Sequence, residues 1–156
     1  MDEIFLEIVF DLCVKYALPF NLPKRIVEQS IFSRGQRELF AKRIKSAESR
    51  GIFLIDDLCG LPYQSQEDED YDDMKQELMN KVSNLATGIT QIVAHPSIVT
   101  SELKDLTLYY RKREMEFNLL NDPDFIKLLI KENIKLISWK TIRDRQRQGI
   151  KYNNLN

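Results

Sequence analysis

Over the first sixteen residues, apolar side chains return every three or four positions. Ile4, Phe5, Ile8, Val9, Leu12 and Tyr16 form a stripe that predicts a helix burying that face. Leu18 to Pro23 (LPFNLP) loses this period and reads as a short extended segment, because Pro23 disfavours helix at Leu22. The helical period returns from about Gln36 to Arg50, with Leu39, Phe40, Ile44 and Ala47 on one side and Gly51 at the C-cap. The continuous apolar run Ile52–Ile55 then predicts a buried strand. Residues 59 to 71 are polar, and a helix over about 72–86 leads through Gly88 into the apolar stretch Ile89–Ala94, a second buried strand. An irregular stretch around Ser97 precedes a helix near Leu106–Leu120. Asp122 followed by Pro123 starts another helix, as N-cap and first helical residue, carrying Phe125, Leu128, Leu129 and Ile130. Ile134–Ser138 predicts a further strand, and Trp139–Arg147 a closing basic helix.

Counting the extended segment, strands and helices alternate along the chain. That order predicts an α/β fold built from βα units, about four parallel strands with helices outside. At 156 residues the chain has room for one domain, expected over 1–148 with 149–156 as a frayed tail. With 23 basic and 24 acidic residues, no net field recruits nucleic acid or an anionic membrane. The basic cluster Arg143, Arg145 and Arg147 has no interleaved aromatics and reads as a solvated helix face. Asp2, Glu3, Glu7 and Asp11 interrupt the apolar N-terminus, which therefore does not read as a signal peptide, and no run is long enough to span a membrane. Cys13 and Cys59 lack metal-ligand spacing and are expected as buried thiols of a cytoplasmic protein.

The chemistry-bearing residues are few. His95 is the only histidine, and it is followed by Pro96 at the end of the Ile89–Ala94 strand. In parallel α/β folds functional side chains collect at strand ends, so His95 is a candidate general acid or base or a metal ligand, as well as a plain turn residue. Asp56 and Asp57 end the other strand; Asp56 has three open roles there, as a metal ligand, as orienter of an imidazole or as cap of the turn. The acidic run with Asp68, Asp70 and Asp72 fails as a calcium loop. Its sixth position is Asp73 and its twelfth Met79, so it reads as a polar loop whose last carboxylates favour a helix N-terminus. No phosphate-binding glycine pattern and no nucleophile elbow occurs.

Gly88 to Pro96 (GITQIVAHP), Arg113 and Glu116 in the spacing R-x-x-E, Asn133 to Trp139 (NIKLISW) and Arg143 with Arg147 combine into a recognisable set. Together with ALPFNLP at 17–23 they resemble the C-terminal part of the YdjC-like carbohydrate deacetylases, relatives of the polysaccharide deacetylases. The resemblance implies that the chain is part of a TIM-like barrel, whose usual size is about 250 residues. It also implies hydrolysis of the N-acetyl group of a sugar by a metal-activated water, with Mg or Zn as the family's metal. On this resemblance His95 and Asp56 are the expected catalytic residues, with Arg113 and Glu116 as a supporting ion pair. The family's D-D-x-G segment and its two metal-binding histidines have no counterpart in this sequence. The chain is therefore expected to bind no metal and to be inactive alone, whether completed by a second chain, paired with its own copy, or a truncated product of marginal stability. The other expectation is a non-catalytic α/β module that dimerises or binds a partner through the former barrel interior.

Overall fold

The computed structural model describes residues 3–28, 32–62 and 70–149. The expected tail beyond 149 and much of the acidic run, Asp68 included, lie outside them. The elements are α1 (Glu3–Tyr16), a 3-10 turn (Lys24–Glu28), α2 (Arg34–Ser49), β1 (Asp57–Gly60), α3 (Tyr71–Ser83), β2 (Thr90–Val93), α4 (Ser101–Leu106), α5 (Tyr110–Leu120), α6 (Pro123–Lys131) and α7 (Trp139–Arg147). The fold is mixed α/β and mostly helical, and β1 and β2 pair as a two-stranded parallel sheet. Two compact units divide the described residues, the first drawn from 1–58, 88–90 and 136–156 and the second from 59–87 and 91–135.

In the first unit, Leu6, Phe10 and Cys13 of α1 pack with Leu22, Ala47, Ile52 and Leu54. Phe10 is fully buried and meets Phe20 edge to face, ring centroids 5.3 Å apart. The face of α1 expected to be buried is largely not the one that packs. Ile4 is 72% and Phe5 66% exposed, with Ile8, Leu12 and Tyr16 exposed alongside, while Val9 is partly buried. Both arcs of this helix are apolar, and only packing partners choose between them.

A capping box opens α2: the Ser33 hydroxyl accepts the Gln36 N–H, and the Gln36 side chain accepts the Ser33 N–H. Gly51, at φ +73°, ends it as expected, and the N–H of Ile52 returns to the Ala47 carbonyl. Residues 52–55 are buried on both sides, as their continuous apolar run requires. Ile52 and Leu54 join the α1 core, whereas Ile55 packs with Ile89 and Ile142, and Phe53 joins that second cluster.

This segment forms one parallel bridge, Leu54 to Phe20, rather than the expected strand. The Phe53 carbonyl accepts the Phe20 N–H, but the Phe53 N–H is taken by the side chain of Gln146 on α7. Gln146 also donates to the Leu18 carbonyl, and Arg147 donates to the Tyr16 carbonyl. The basic helix thus carries structural bonds for α1 and its neighbours, beyond the solvated face expected of it.

In the second unit, Met74, Leu78 and Val82 repeat every four residues along α3 and pack against Leu119 of α5 and Phe125, Leu128 and Leu129 of α6. Asp70 caps α3 by accepting the Asp73 N–H, the helix-start role read from the end of the acidic run. Asp122 and Pro123 begin α6 as expected. The expected helix near 106–120 starts later, as α5 at Tyr110, and the stretch before it, expected to be irregular, holds the short helix α4 (Ser101–Leu106). Between them the Thr107 hydroxyl accepts the Tyr109 N–H, a local bond that competes with continued helix.

The expected strand at 134–138 forms no ladder. Asn133 takes φ +53°, and the Ile134 N–H turns back to the Leu129 carbonyl as α6 closes. Leu136 beyond it is exposed. The described residues therefore hold two strands and one bridge, where four strands are expected from the sequence.

Candidate functional site

Asp56 is held from several directions within the first unit. Its Oδ1 lies 2.6 Å from Lys24 Nζ, and its Oδ2 accepts the Ile89 N–H at 2.8 Å. Its own N–H donates to the Ile89 carbonyl, and its carbonyl accepts the Arg25 N–H. Asp57 pairs with Arg25 at 3.5 Å. The carboxylate of Asp56 thus ties the entry of β2 to the exit of the 52–55 segment. These bonds reach across the chain to Lys24 and Ile89, while in the turn that follows Asp56 the Leu58 N–H goes to the Asp57 carboxylate.

Gly88 makes that tie feasible. At φ +134° it stands so close that a Cβ there would sit 2.5 Å from Asp56 Oδ2. Only a residue without a side chain leaves the carboxylate its place.

His95 belongs to the second unit, just beyond the end of β2, and is half-buried. Its backbone N–H donates to Glu116 Oε2 at 2.5 Å. Two residues on, the Ser97 N–H donates to the Arg113 carbonyl at 3.1 Å. Pro96 has no N–H to offer. Both N–H groups flanking the proline are therefore taken by α5.

Glu116 is 3% exposed, and Lys112, four residues earlier on the same face of α5, is 2% exposed. Burying charged groups is costly unless they are paired or hydrogen-bonded. The bond to His95 N–H supplies part of that compensation for Glu116. The R-x-x-E spacing flags Glu116 and Arg113, but its sequence reading is a side-chain ion pair. The contacts seen here run from α5 to the backbone on either side of Pro96.

A denser charged cluster, unremarked in the sequence beyond Asp122 as a cap, joins α3 to the start of α6. The Tyr71 hydroxyl donates to Asp122 Oδ2 at 2.6 Å, and Lys75 Nζ lies 2.8 Å from Asp122 and 2.9 Å from Asp124. Burial first, and then the bond to Asp122, push the Tyr71 phenol up to about 12. The bonds from Lys75 and Tyr71 hold the Asp122 carboxyl well below the usual carboxylate range. Lys75 is raised in turn, chiefly by its bond to Asp122. These shifts belong to a brace between two helices. The residues involved have a spacing of 51 between Tyr71 and Asp122, which no local pattern reveals.

Neither cysteine is in a disulfide; Cys13 is buried, and burial raises its pKa, while Cys59 is only half-buried, short of the expectation for it. Among the described residues, no three or more His, Cys, Asp or Glu side chains come together as a metal-ligand set.

No protein-family model matches the sequence. Over 75 residues, 47% of this chain, the sequence is 33% identical to a carbohydrate deacetylase of Thermoanaerobacter pseudethanolicus. The chain resembles part of a carbohydrate deacetylase. The matched stretch spans 30% of that relative's length. The fold is also similar to the crystal structure of an Enterococcus faecalis protein provisionally named for cellobiose-phosphate cleavage. The TM-score is 0.57 over 90% of this chain and 48% of the other, at 16% identity. The YdjC-like resemblance read from the Gly88–Pro96 and Arg113–Trp139 motifs is borne out, for a portion of such a protein. No helix among the described residues is long and apolar enough to cross a membrane.

Proposed function

We propose that this chain contributes to a carbohydrate deacetylase that removes the acetyl group from an N-acetylated sugar, with His95 as the proton donor to the departing amine. The observation that carries the reading is the 33% identity to a carbohydrate deacetylase. Hydrolysis of an N-acetyl group needs an attacking water, stabilisation of the oxyanion and a proton for the amine. Imidazole is suited to the last task near neutral pH. In this reading Asp56 positions the entry to β2, and Glu116 and Arg113 position the segment that bears the imidazole.

The family's divalent metal, Mg or Zn, does not fit the residues described here, since no ligand set of three gathers among them. No step is assigned to a metal held by this chain. Turnover accordingly requires ligands from outside the described residues, and the chain by itself is expected to bind sugar without cleaving it.

The single histidine makes the test direct. With ¹⁵N- and ¹³C-labelled histidine, titration with N-acetylated chitooligosaccharides is expected to shift the ring signals of His95, and fully deacetylated oligosaccharides to shift them less. Ring signals that ignore millimolar N-acetylated sugar would overturn the reading.

A second reading is a binding module that pairs with its own copy or with a complementing chain. The outer stripe of α1, with Ile4, Phe5, Ile8, Leu12 and Tyr16 exposed, favours it. Light scattering that returns a dimeric mass, falling to a monomer in Ile8→Lys, is the result this reading expects.

A further inference from the structure

We infer that Glu116 is a positioning residue for His95, acting through the backbone as one half of a two-point clamp by α5 on the irregular His95–Pro96–Ser97 segment. The functional meaning of the clamp rests on the reading of His95 as proton donor, whereas its existence does not. Three consecutive residues normally offer three N–H groups. Proline removes the middle one, and α5 takes the other two, His95 N–H by the Glu116 carboxylate and Ser97 N–H by the Arg113 carbonyl.

A helical side chain leans back over the preceding turn, which brings the Glu116 carboxylate toward the turn that carries the Arg113 carbonyl. A segment held at both ends to a rigid element has little freedom to rotate the intervening peptide planes. The Cα–Cβ direction of His95 is set by those planes.

The acceptor on His95 is also the stronger kind. Hydrogen bonds to a charged group are shorter and stronger than neutral ones. At 3% exposure, Glu116 has little competing water. The carboxylate therefore orients the residue that carries the imidazole, without needing to touch a substrate.

The test uses the full chain with ¹⁵N-labelled histidine, where the backbone amide of His95 is a lone cross-peak. Glu116→Gln keeps an acceptor of the same length and Glu116→Ala removes it, while Glu114→Ala, exposed on the same helix, is the control. Amide exchange at His95 is expected to accelerate roughly ten- to a hundredfold in Glu116→Ala. Glu116→Gln is expected to restore most of the protection, and the control to leave it unchanged.

The proposal is overturned if His95 stays equally protected in Glu116→Ala. It is equally overturned if Gln fails to rescue while the Leu119 and Met74 methyl signals show that the helices are intact. If Glu116→Ala does not fold, the Glu116→Gln amide shift decides. A marked upfield move is expected on exchanging a charged acceptor for a neutral one, and an unmoved signal refutes the clamp. None of these readouts requires sugar, so failure to bind N-acetylated oligosaccharide would remove the proposed function and leave the clamp standing.

Discussion

Replacing glycine by alanine at three places in the first unit should give three outcomes of different size and sign. Gly88→Ala is the severe one. At φ +134° an alanine is strained by about 1–3 kcal/mol whatever surrounds it. Its Cβ would also stand 2.5 Å from Asp56 Oδ2 and 2.8 Å from the carboxyl carbon. The carboxylate cannot retreat without lengthening its 2.8 Å bond from the Ile89 N–H, a charged-acceptor bond of about 1.5–3 kcal/mol. Together the loss comes to about 2.5–6 kcal/mol, a large share of the roughly 5–15 kcal/mol that holds a domain folded.

Gly51→Ala meets no atom within 4 Å and carries only the left-handed backbone at φ +73°, about 1–2 kcal/mol. Gly35→Ala, in the first turn of α2 with open space around it, should stabilise by about 0.5 kcal/mol by restricting the unfolded chain. Trp139, the only tryptophan, lies in the same unit, so its fluorescence in urea reports the relevant transition. The expected order of midpoints is Gly35→Ala highest, then wild type, Gly51→Ala and Gly88→Ala, the last lower than wild type by about 2 M for a slope near 2 kcal/mol/M. A double variant Gly88→Ala/Asp56→Ala separates strain from collision. Removing the carboxylate should make the pair less destabilised than the sum of the singles. If Gly88→Ala costs no more than Gly51→Ala, or if the cycle is additive, the account of the Asp56 tie is wrong.

Other consequences are equally open to measurement. Leu119→Ala, at a fully buried position among α3, α5 and α6, should destabilise the second unit by about 2–5 kcal/mol, read from its methyl signals in urea. Gln146→Ala strips the Phe53 N–H and the Leu18 carbonyl of partners at once and should cost about 2–3 kcal/mol; a loss below 0.5 kcal/mol in the Trp139 transition would show that water replaces both bonds. In a spectrophotometric titration at 295 nm, one of the six tyrosines should ionise only toward pH 12, and Asp122→Asn should bring it back toward 10.

The same brace fixes the direction of pH dependence. Because Tyr71 and Lys75 are raised by folding, their contribution is complete below about pH 10 and fades as pH climbs through their folded values. Because Asp122 is depressed, its contribution is present above the ordinary carboxylate pKa and is lost as pH falls below it. Melting temperatures that hold steady across both limits would remove the brace from the list of stabilising features.

Much of the local structure was legible in the sequence because it is governed by neighbours a few residues apart. The helical period, Gly51 at the end of α2, and Asp122-Pro123 at the start of α6 each depend on backbone geometry within one turn. His95-Pro96 at the end of β2 was legible for the same reason, as was the joint resemblance of these motifs to a deacetylase. The tertiary structure decided what local chemistry leaves degenerate. Helix α1 is apolar on two arcs, and its period does not say which one meets Phe20, Leu22 and Leu54. The 52–55 run has the composition of a strand, but a glutamine more than ninety residues away takes the N–H a ladder would use. Glu116 and Arg113 have the spacing of a helical ion pair, yet both accept backbone N–H groups beside Pro96, because folding carries the strand end of β2 onto α5. Periodicity records which residues share a face. Which donors and acceptors find one another across long stretches of chain depends on the packing that brings those faces together.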